Sequence, residues 1–283
     1  MQRYRILHRT YYNYASSVLL GPHTLLLRPR EDHDLRVESA LLKTTPTSVV
    51  RWHRDVEDNS VAIATFRDAT SQLLIESDVV VHQYNQVPLD FLVADYAVDY
   101  PFAYLPEDEA VLAPYRVVAG AGQVRLAEWA LKVWQPGEKI QTAVLLQRLA
   151  SHIEQTVSYQ RREEPGVQTP EATLARGTGS CRDYAFLFMQ VARSWGLAAR
   201  FVSGYLNSAP SPINFGATHA WAEVFLPGAG WKGFDPTLGA IVGADHIAVA
   251  VSRAPESVPP VAGSFTGPPG GSFDVGVWVT PLS

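Results

Sequence analysis

A single cysteine in 283 residues excludes an internal disulfide, so nothing in the chain calls for an oxidising compartment. Basic residues are also in short supply: 23 Lys and Arg stand against 28 Asp and Glu, a formal net charge of -5. That balance leaves no basic stripe for nucleic acid and no polybasic patch for an anionic membrane. No apolar run approaches the roughly 20 residues of a membrane-spanning helix. The opening Met1-Gln2-Arg3-Tyr4-Arg5-Ile6 goes straight into alternation, without the apolar stretch of a secretory signal. Cys-x-x-Cys and His-x-x-x-His pairs are missing, as are an oxygen-rich loop of the EF-hand type and any internal repeat. These absences lead us to expect a cytoplasmic protein with no metal, no cofactor, no nucleic-acid partner and no membrane partner. Oligomeric state leaves no trace in the sequence.

Hydrophobic residues make up 47% and charged residues 18%, the balance of a globular chain with a sizeable core. The first hundred residues alternate and favour strands: Tyr4, Ile6 and His8, then Leu35 to Leu42, Val61 to Phe66 and Leu73 to Tyr84. Turn clusters such as Gly21-Pro22, Thr45-Pro46-Thr47 and Glu57-Asp58-Asn59 separate them, which predicts a small sandwich or barrel. After Pro101 the period changes. Leu145, Leu149 and Ile153 predict a helix within Thr142 to Tyr159, and Leu126 to Trp134 a shorter one. Thr169-Pro170-Glu171 signals another helix start. Tyr184, Phe188, Val191 and Trp195 share one face of a helix beginning at Cys181 and stopped by Gly196. Strands are expected over Ala199 to Leu206, His219 to Leu226 and Trp231 to Asp235, the last two joined by Pro227-Gly228-Ala229-Gly230. A Pro/Gly-rich stretch from Pro255 to Gly271 precedes a last strand, Phe273 to Pro281. The expected division is a β-rich domain over 1–100, an α+β core over 101–250 and a C-terminal arm over 251–283.

Chemistry concentrates at Gly179-Ser180-Cys181-Arg182-Asp183, at Thr218-His219-Ala220-Trp221 and at Phe234-Asp235-Pro236-Thr237. The reactive form of cysteine is the thiolate, favoured by a helix N-terminus and a neighbouring imidazolium. With Ser180 as N-cap, Cys181 is the first helical residue and Asp183 the third, the spacing of a capping box. The free Cys181 N–H would then serve as half of an oxyanion hole. A histidine would exchange the thiol proton and an aspartate would fix its tautomer. One obstacle stands out. A four-residue turn at 227–230 pairs Leu226 with Trp231 and sets Asp235 opposite Ala222, on the face away from His219, so the pair needs an odd-length turn or a bulge. Each residue also has an ordinary alternative: a buried apolar cysteine, a structural histidine, an Asp-Pro turn. A metal site drawn from Cys181, His219, Asp235 and His246 is a third reading, disfavoured by the missing close-spaced pair. Arg161-Arg162-Glu163-Glu164 reads as a solvated loop, and Tyr205 and Trp221 as packing residues.

The motifs around Cys181, continuing through Arg193-Ser194-Trp195-Gly196 and Arg200-Phe201-Val202-Ser203-Gly204-Tyr205, together with His219-Ala220-Trp221-Ala222-Glu223-Val224 and Phe234-Asp235-Pro236-Thr237, resemble the transglutaminase-like superfamily, in particular its bacterial members described as cysteine proteases. The first hundred residues resemble the β-rich N-terminal region of one bacterial branch. Two departures are visible: Asp58-Asn59 where the branch has Gly-Asn, and Ser252-Arg253-Ala254 where it carries Gly-Arg-Asp. The resemblance implies a papain/transglutaminase-like core whose nucleophile helix packs on an antiparallel sheet. It implies Cys181 as nucleophile, His219 as general base and acid, and Asp235 as the orienting acid. The implied reaction is attack on an amide carbonyl through a thioester, with water as acceptor and a peptide or amide as substrate. Acyl transfer to an amine is the alternative, and a non-catalytic interaction module a further one. No cofactor is implied.

Overall fold

The computed structural model describes residues 1–84, 87, 89–119, 123–162, 164–207 and 218–282. The chain opens with β1 (Gln2–Leu20), β2 (His23–Leu25), β3 (Leu35–Thr45), β4 (Val49–Arg54), β5 (Ser60–Thr65) and β6 (Thr70–Gln83). Helices α1 (Pro106–Leu112), α2 (Gln123–Ala130), α3 (Thr142–Thr156), α4 (Pro170–Arg176) and α5 (Cys181–Ser194) follow. Strands β7 (Ala199–Leu206), β8 (His219–Leu226), β9 (Gly230–Asp235), β10 (Ala240–Ile241), β11 (His246–Ser252) and β12 (Gly271–Leu282) complete the main elements.

Alternation along β1 and β6 turns Val18, Leu20, Leu73 and Ile75 onto Leu25, Ala62 and Ala64 of a second sheet, giving an N-terminal sandwich. The C-terminal β12 returns to this region and pairs antiparallel with β1, from Arg3↔Leu282 to Tyr14↔Gly271. The last strand therefore joins the edge of the first sheet and, among the described residues, pairs with none of the core strands. Farther along the same sheet, Tyr4, Ile6, Val79 and Val81 pack on Tyr205, Ile247 and Val249 of β7 and β11. That apolar seam joins the sandwich to the core.

Polar ties also cross the seam, two of them through buried side chains. The buried Asn59 amide pairs with Val251 as a backbone unit would, its Nδ2 donating to the Val251 carbonyl and its Oδ1 accepting from the Val251 N–H, both at 2.8 Å. The preceding Asp58 holds φ 60°, a left-handed conformation that glycine adopts more readily. The second tie is His8 Nδ1 to the Tyr205 hydroxyl at 3.0 Å, with His8 Nε2 on Thr10 Oγ1 at 3.1 Å.

Burial lowers the His8 pKa to about 4, so the folded state holds this ring neutral. The unfolded chain binds the extra proton first. Stability from this site is therefore intact above pH 6.5 and declines as pH falls toward about 4, by on the order of 3 kcal/mol. Melting curves should show the apparent Tm dropping over that interval, and His8→Gln, which keeps polar atoms but does not titrate, should flatten the slope. An unchanged slope in the variant would remove His8 from the account.

The core sheet runs β10-β9-β8-β7-β11, antiparallel throughout. Ala220, Ala222, Val224 and Leu226 of β8 and Phe234 of β9 face α5, with the Phe188 and Phe234 rings stacked at 5.7 Å. Helix α3 adds Leu145, Leu149 and Ile153 to the same core. Nearly every side chain of α5 from Asp183 to Arg193 is buried, as expected of a helix wrapped on all sides. Because even-numbered β8 residues face this helix, His219, Trp221 and Glu223 occupy the other face of the sheet.

Candidate active site

The start of α5 is built before the helix begins. Thr169 caps α4 by accepting from the Ala172 N–H at 3.2 Å, Pro170 fills its first turn, and Gly177 ends it at φ 66°. Thr178–Gly179 then runs parallel to Ser158–Tyr159. A Cβ on Gly179 would lie 3.0 Å from the Asp183 Cβ, so this approach to the helix admits glycine best. The capping box is present: Asp183 Oδ2 accepts from the Ser180 N–H and from Ser180 Oγ, each at 2.8 Å. Cys181 follows as the first helical residue, a free and partly buried thiol.

Arg162 is no solvated loop residue. Its Nη1 donates to Asp183 Oδ1 at 2.7 Å, the same oxygen that takes the Gln168 N–H at 2.7 Å. Burial pushes the Asp183 carboxyl up, but the Gln168 and Ser180 hydrogen bonds and the Arg162 guanidinium outweigh it and hold the group below its ordinary range. Its stabilising contribution is present above about pH 3.8 and fades on acidification. Arg162→Leu leaves a fully buried carboxylate without its cation, and we expect a loss of about 2–3 kcal/mol, discounted for the partly exposed arginine. The check is a Tm about 5–10 °C lower. A Tm within 2 °C of wild type would mean that backbone donors alone suffice.

The β8–β9 hairpin differs from the four-residue turn expected from the sequence. Leu226 pairs with Gly230, Phe225 with Trp231 and Ala222 with Phe234, so the loop is three residues, Pro227 to Ala229. Gly228 and Gly230 take φ 83° and 76°, and the Ala229 N–H closes on the Leu226 carbonyl at 2.9 Å. This odd length shifts the register by one residue and turns Asp235 to the face that carries His219.

On that face His219 Nε2 meets Asp235 Oδ2 at 2.7 Å, with the two side chains 5% and 0% exposed. Asp235 Oδ1 accepts the Thr237 N–H at 2.8 Å, which pins the carboxylate from behind. Burial depresses the His219 imidazolium, but the Asp235 charge and hydrogen bond, and then Cys181, override it and raise the pKa to about 10. Asp235 is held well below its ordinary range, because His219 and His246 outweigh the burial that pushes it up. The attraction, counted once for the pair, stabilises the fold fully at pH values below 6.5 on the histidine side. It is lost as pH rises through about 10. Since Asp235 takes Nε2, Nδ1 is the ring nitrogen left for the Cys181 sulfur. That sulfur also interacts with the half-buried Tyr159, whose hydroxyl pKa is raised by burial first and by the Cys181 charge second.

The structure thus gathers Cys181, His219 and Asp235 from the helix start, β8 and β9. Two further residues stand with them. His246 reaches Asp235 Oδ2 with its own Nε2 at 3.0 Å, and Tyr159 adjoins the sulfur. Both contacts are long-range; in the sequence, His246 showed only as a candidate metal ligand, and Tyr159 carried no signal. A thiol beside a buried, carboxylate-held imidazole at a helix N-terminus is an arrangement suited to nucleophilic attack and proton exchange.

Comparison with known proteins agrees with this architecture. Residues 4–82 match the bacterial transglutaminase-like N-terminal region, and residues 135–236 match the core of the transglutaminase-like superfamily. Uncharacterised proteins of Mycobacterium tuberculosis and Mycobacterium bovis are each 31% identical over 301 residues, covering 99% of this chain and 93% of the relative. A Mycobacterium leprae protein is 25% identical over 301 residues, covering 100% of both. A crystal structure from Cytophaga hutchinsonii, described as a "Putative Cysteine Protease", superposes with a TM-score of 0.77 at 17% identity, over 100% of this chain and 91% of that one. The chain belongs to the transglutaminase-like superfamily, a family of cysteine-dependent enzymes, and carries the N-terminal region of its bacterial branch. Among the described residues, no helix is long and apolar enough to cross a membrane.

Proposed function

We propose that this protein is a cysteine-dependent amide-bond hydrolase, a peptidase or amidase working through Cys181, His219 and Asp235. The observation that carries the reading is the buried His219–Asp235 bond, on a ring that also contacts the thiol of a residue opening a capped helix. In this mechanism the Cys181 sulfur bonds to the carbonyl carbon, and the Cys181 N–H helps to receive the oxyanion. The C–N bond breaks as His219 delivers its proton to the departing amine, leaving a thioester. Water then attacks that carbonyl, giving its proton to His219, which returns it to the sulfur as the acid departs. Asp235 keeps the ring in one orientation throughout and stays ionised. The substrate class is a peptide or other amide, and the compartment we propose is the cytoplasm.

The test is turnover of a mixed peptide library followed by mass spectrometry, in wild type and in Cys181→Ala, with and without a labelled primary amine. Cleavage seen only in wild type supports the hydrolase. Amine incorporation outrunning hydrolysis would reassign it as an acyltransferase. Equal cleavage by Cys181→Ala would end the proposal.

A further inference from the structure

Asp235 Oδ2 accepts two imidazole N–H groups. His219 donates from Nε2 at 2.7 Å and His246 from Nε2 at 3.0 Å, with the ring centroids 6.1 Å apart. The second ring is anchored independently of the first. The Gly243 N–H points at His246 Nδ1 at 3.4 Å, which leaves Nε2 as the nitrogen that donates to Asp235. Trp221 abuts it edge to face at 5.2 Å. Arg30, Asp32, Asp34, Glu223 and Lys232 share with His246 the lining of a cavity of about 150 Å³, while Asp235 and His219 are the titratable groups beside it within the site.

A metal could be imagined among these three side chains, whose ligand atoms lie within 4.8 Å of one another. Zinc bonds of about 2.0–2.1 Å in a tetrahedron would hold neighbouring donor atoms about 3.3 Å apart. The separations of 2.7 and 3.0 Å are shorter and fall in the range of charge-assisted hydrogen bonds. The trio shares protons.

We infer that His246 is a fourth member of the site, a positioning residue that holds the Asp235 carboxylate in line with His219 by donating to the same oxygen. Asp235 is the last residue of β9, its backbone paired with Ala240 of β10, and this ladder fixes the backbone but not the plane of the carboxylate. The Thr237 N–H fixes Oδ1, with the Leu238 N–H farther off, and His246 fixes Oδ2, so contacts independent of His219 hold both oxygens and set the plane of the carboxylate. Without His246, Oδ2 would be held only by the ring it is meant to orient. The inference rests on the proposed roles of Cys181, His219 and Asp235.

The test pairs His246→Gln, whose amide can still donate, with His246→Leu, which cannot. Two readouts are needed: the rate of Cys181 alkylation by iodoacetamide at pH 7, and ¹⁵N-histidine NMR of the His219 ring. We expect His246→Leu to slow alkylation about tenfold to a hundredfold and to shift the His219 ring resonances, with the fold intact by circular dichroism. Glutamine should restore alkylation to within about threefold, which a purely packing role would not do. A folded leucine variant with wild-type alkylation and wild-type His219 signals would overturn the inference. So would a glutamine variant as slow as leucine with an unchanged Tm. If His219→Ala leaves wild-type alkylation unaltered, the hydrolase reading falls by itself, and the NMR arm still decides whether His246 positions the pair.

Discussion

Asp235→Asn is expected to cut turnover about 10³- to 10⁴-fold at pH 7 and to drop the His219 titration from about 10 to below the free-imidazole value. The carboxylate accepts on both oxygens: the Thr237 N–H, with Leu238 N–H at the longer 3.4 Å, on Oδ1, and the two histidines on Oδ2. Asparagine has one acceptor oxygen. In either orientation its NH₂ faces N–H donors in a fully buried pocket, and we expect a stability loss of about 3 kcal/mol. The sign of the His219 change follows from the opposing influences on it. Burial is the largest and lowers the pKa; Asp235 supplies most of what raises it, and Cys181 less. Removing the Asp235 charge lets burial dominate, so at pH 7 the ring is neutral and no imidazolium faces the sulfur. The check is a ¹⁵N-histidine titration of both proteins beside a pH–rate profile. Wild type should hold its imidazolium up to about pH 10. A variant titrating above pH 8, with turnover within tenfold of wild type, would show that Asp235 does not set the charge state of this ring.

Much of this arrangement was legible because it is local. Ser180, Cys181 and Asp183 fall within one helical turn, so their spacing alone announced the capping box. The alternation of β8 likewise announced that His219 and Ala222 face opposite ways. The turn was misjudged for a specific reason. Gly230 contributes no side chain to the apolar pattern and looks like part of the loop, yet its backbone pairs with Leu226. One residue of ladder decided the face of Asp235. Arg162 and His246 were beyond reach for a different reason: each meets its carboxylate only through the fold, across 21 and 11 residues. Strand β4 escaped because Val49, Trp52 and its charged neighbours are mostly exposed, leaving no buried face to impose a period. The C-terminal strand was visible as a strand, but its partner, β1, begins the chain, and no local rule links the two ends.

Gly204→Ala is expected to be the most damaging single methyl addition near the site. A Cβ there would lie 2.4 Å from the Ile247 carbonyl oxygen and 2.6 Å and 2.9 Å from Cη2 and Cζ3 of Trp221. The glycine pairs with His219 on one side and Ala248 on the other, where the β7–β11 register shifts, so the strand cannot slide away without breaking a ladder. The missing side chain is what lets the Trp221 indole lie across β7, with its ring 6.2 Å from His219 and 5.2 Å from His246. Overpacking of this kind costs about 1–3 kcal/mol, and two obstacles, one of them backbone, place this case near the upper end. The Tm should fall by about 6–12 °C. Displacing the indole should also disturb both imidazoles, so Cys181 alkylation should slow together with the loss of stability. Combining Gly204→Ala with Trp221→Phe removes the outer indole atoms but leaves the Ile247 carbonyl in place. Recovery of most of the lost Tm in the double variant, relative to Trp221→Phe alone, would identify the ring as the main obstacle, and no recovery would identify the backbone. If Gly204→Ala melted within 2 °C of wild type and alkylated normally, the close approach of β7 to Trp221 would have no part in holding the His219–Asp235–His246 cluster in place.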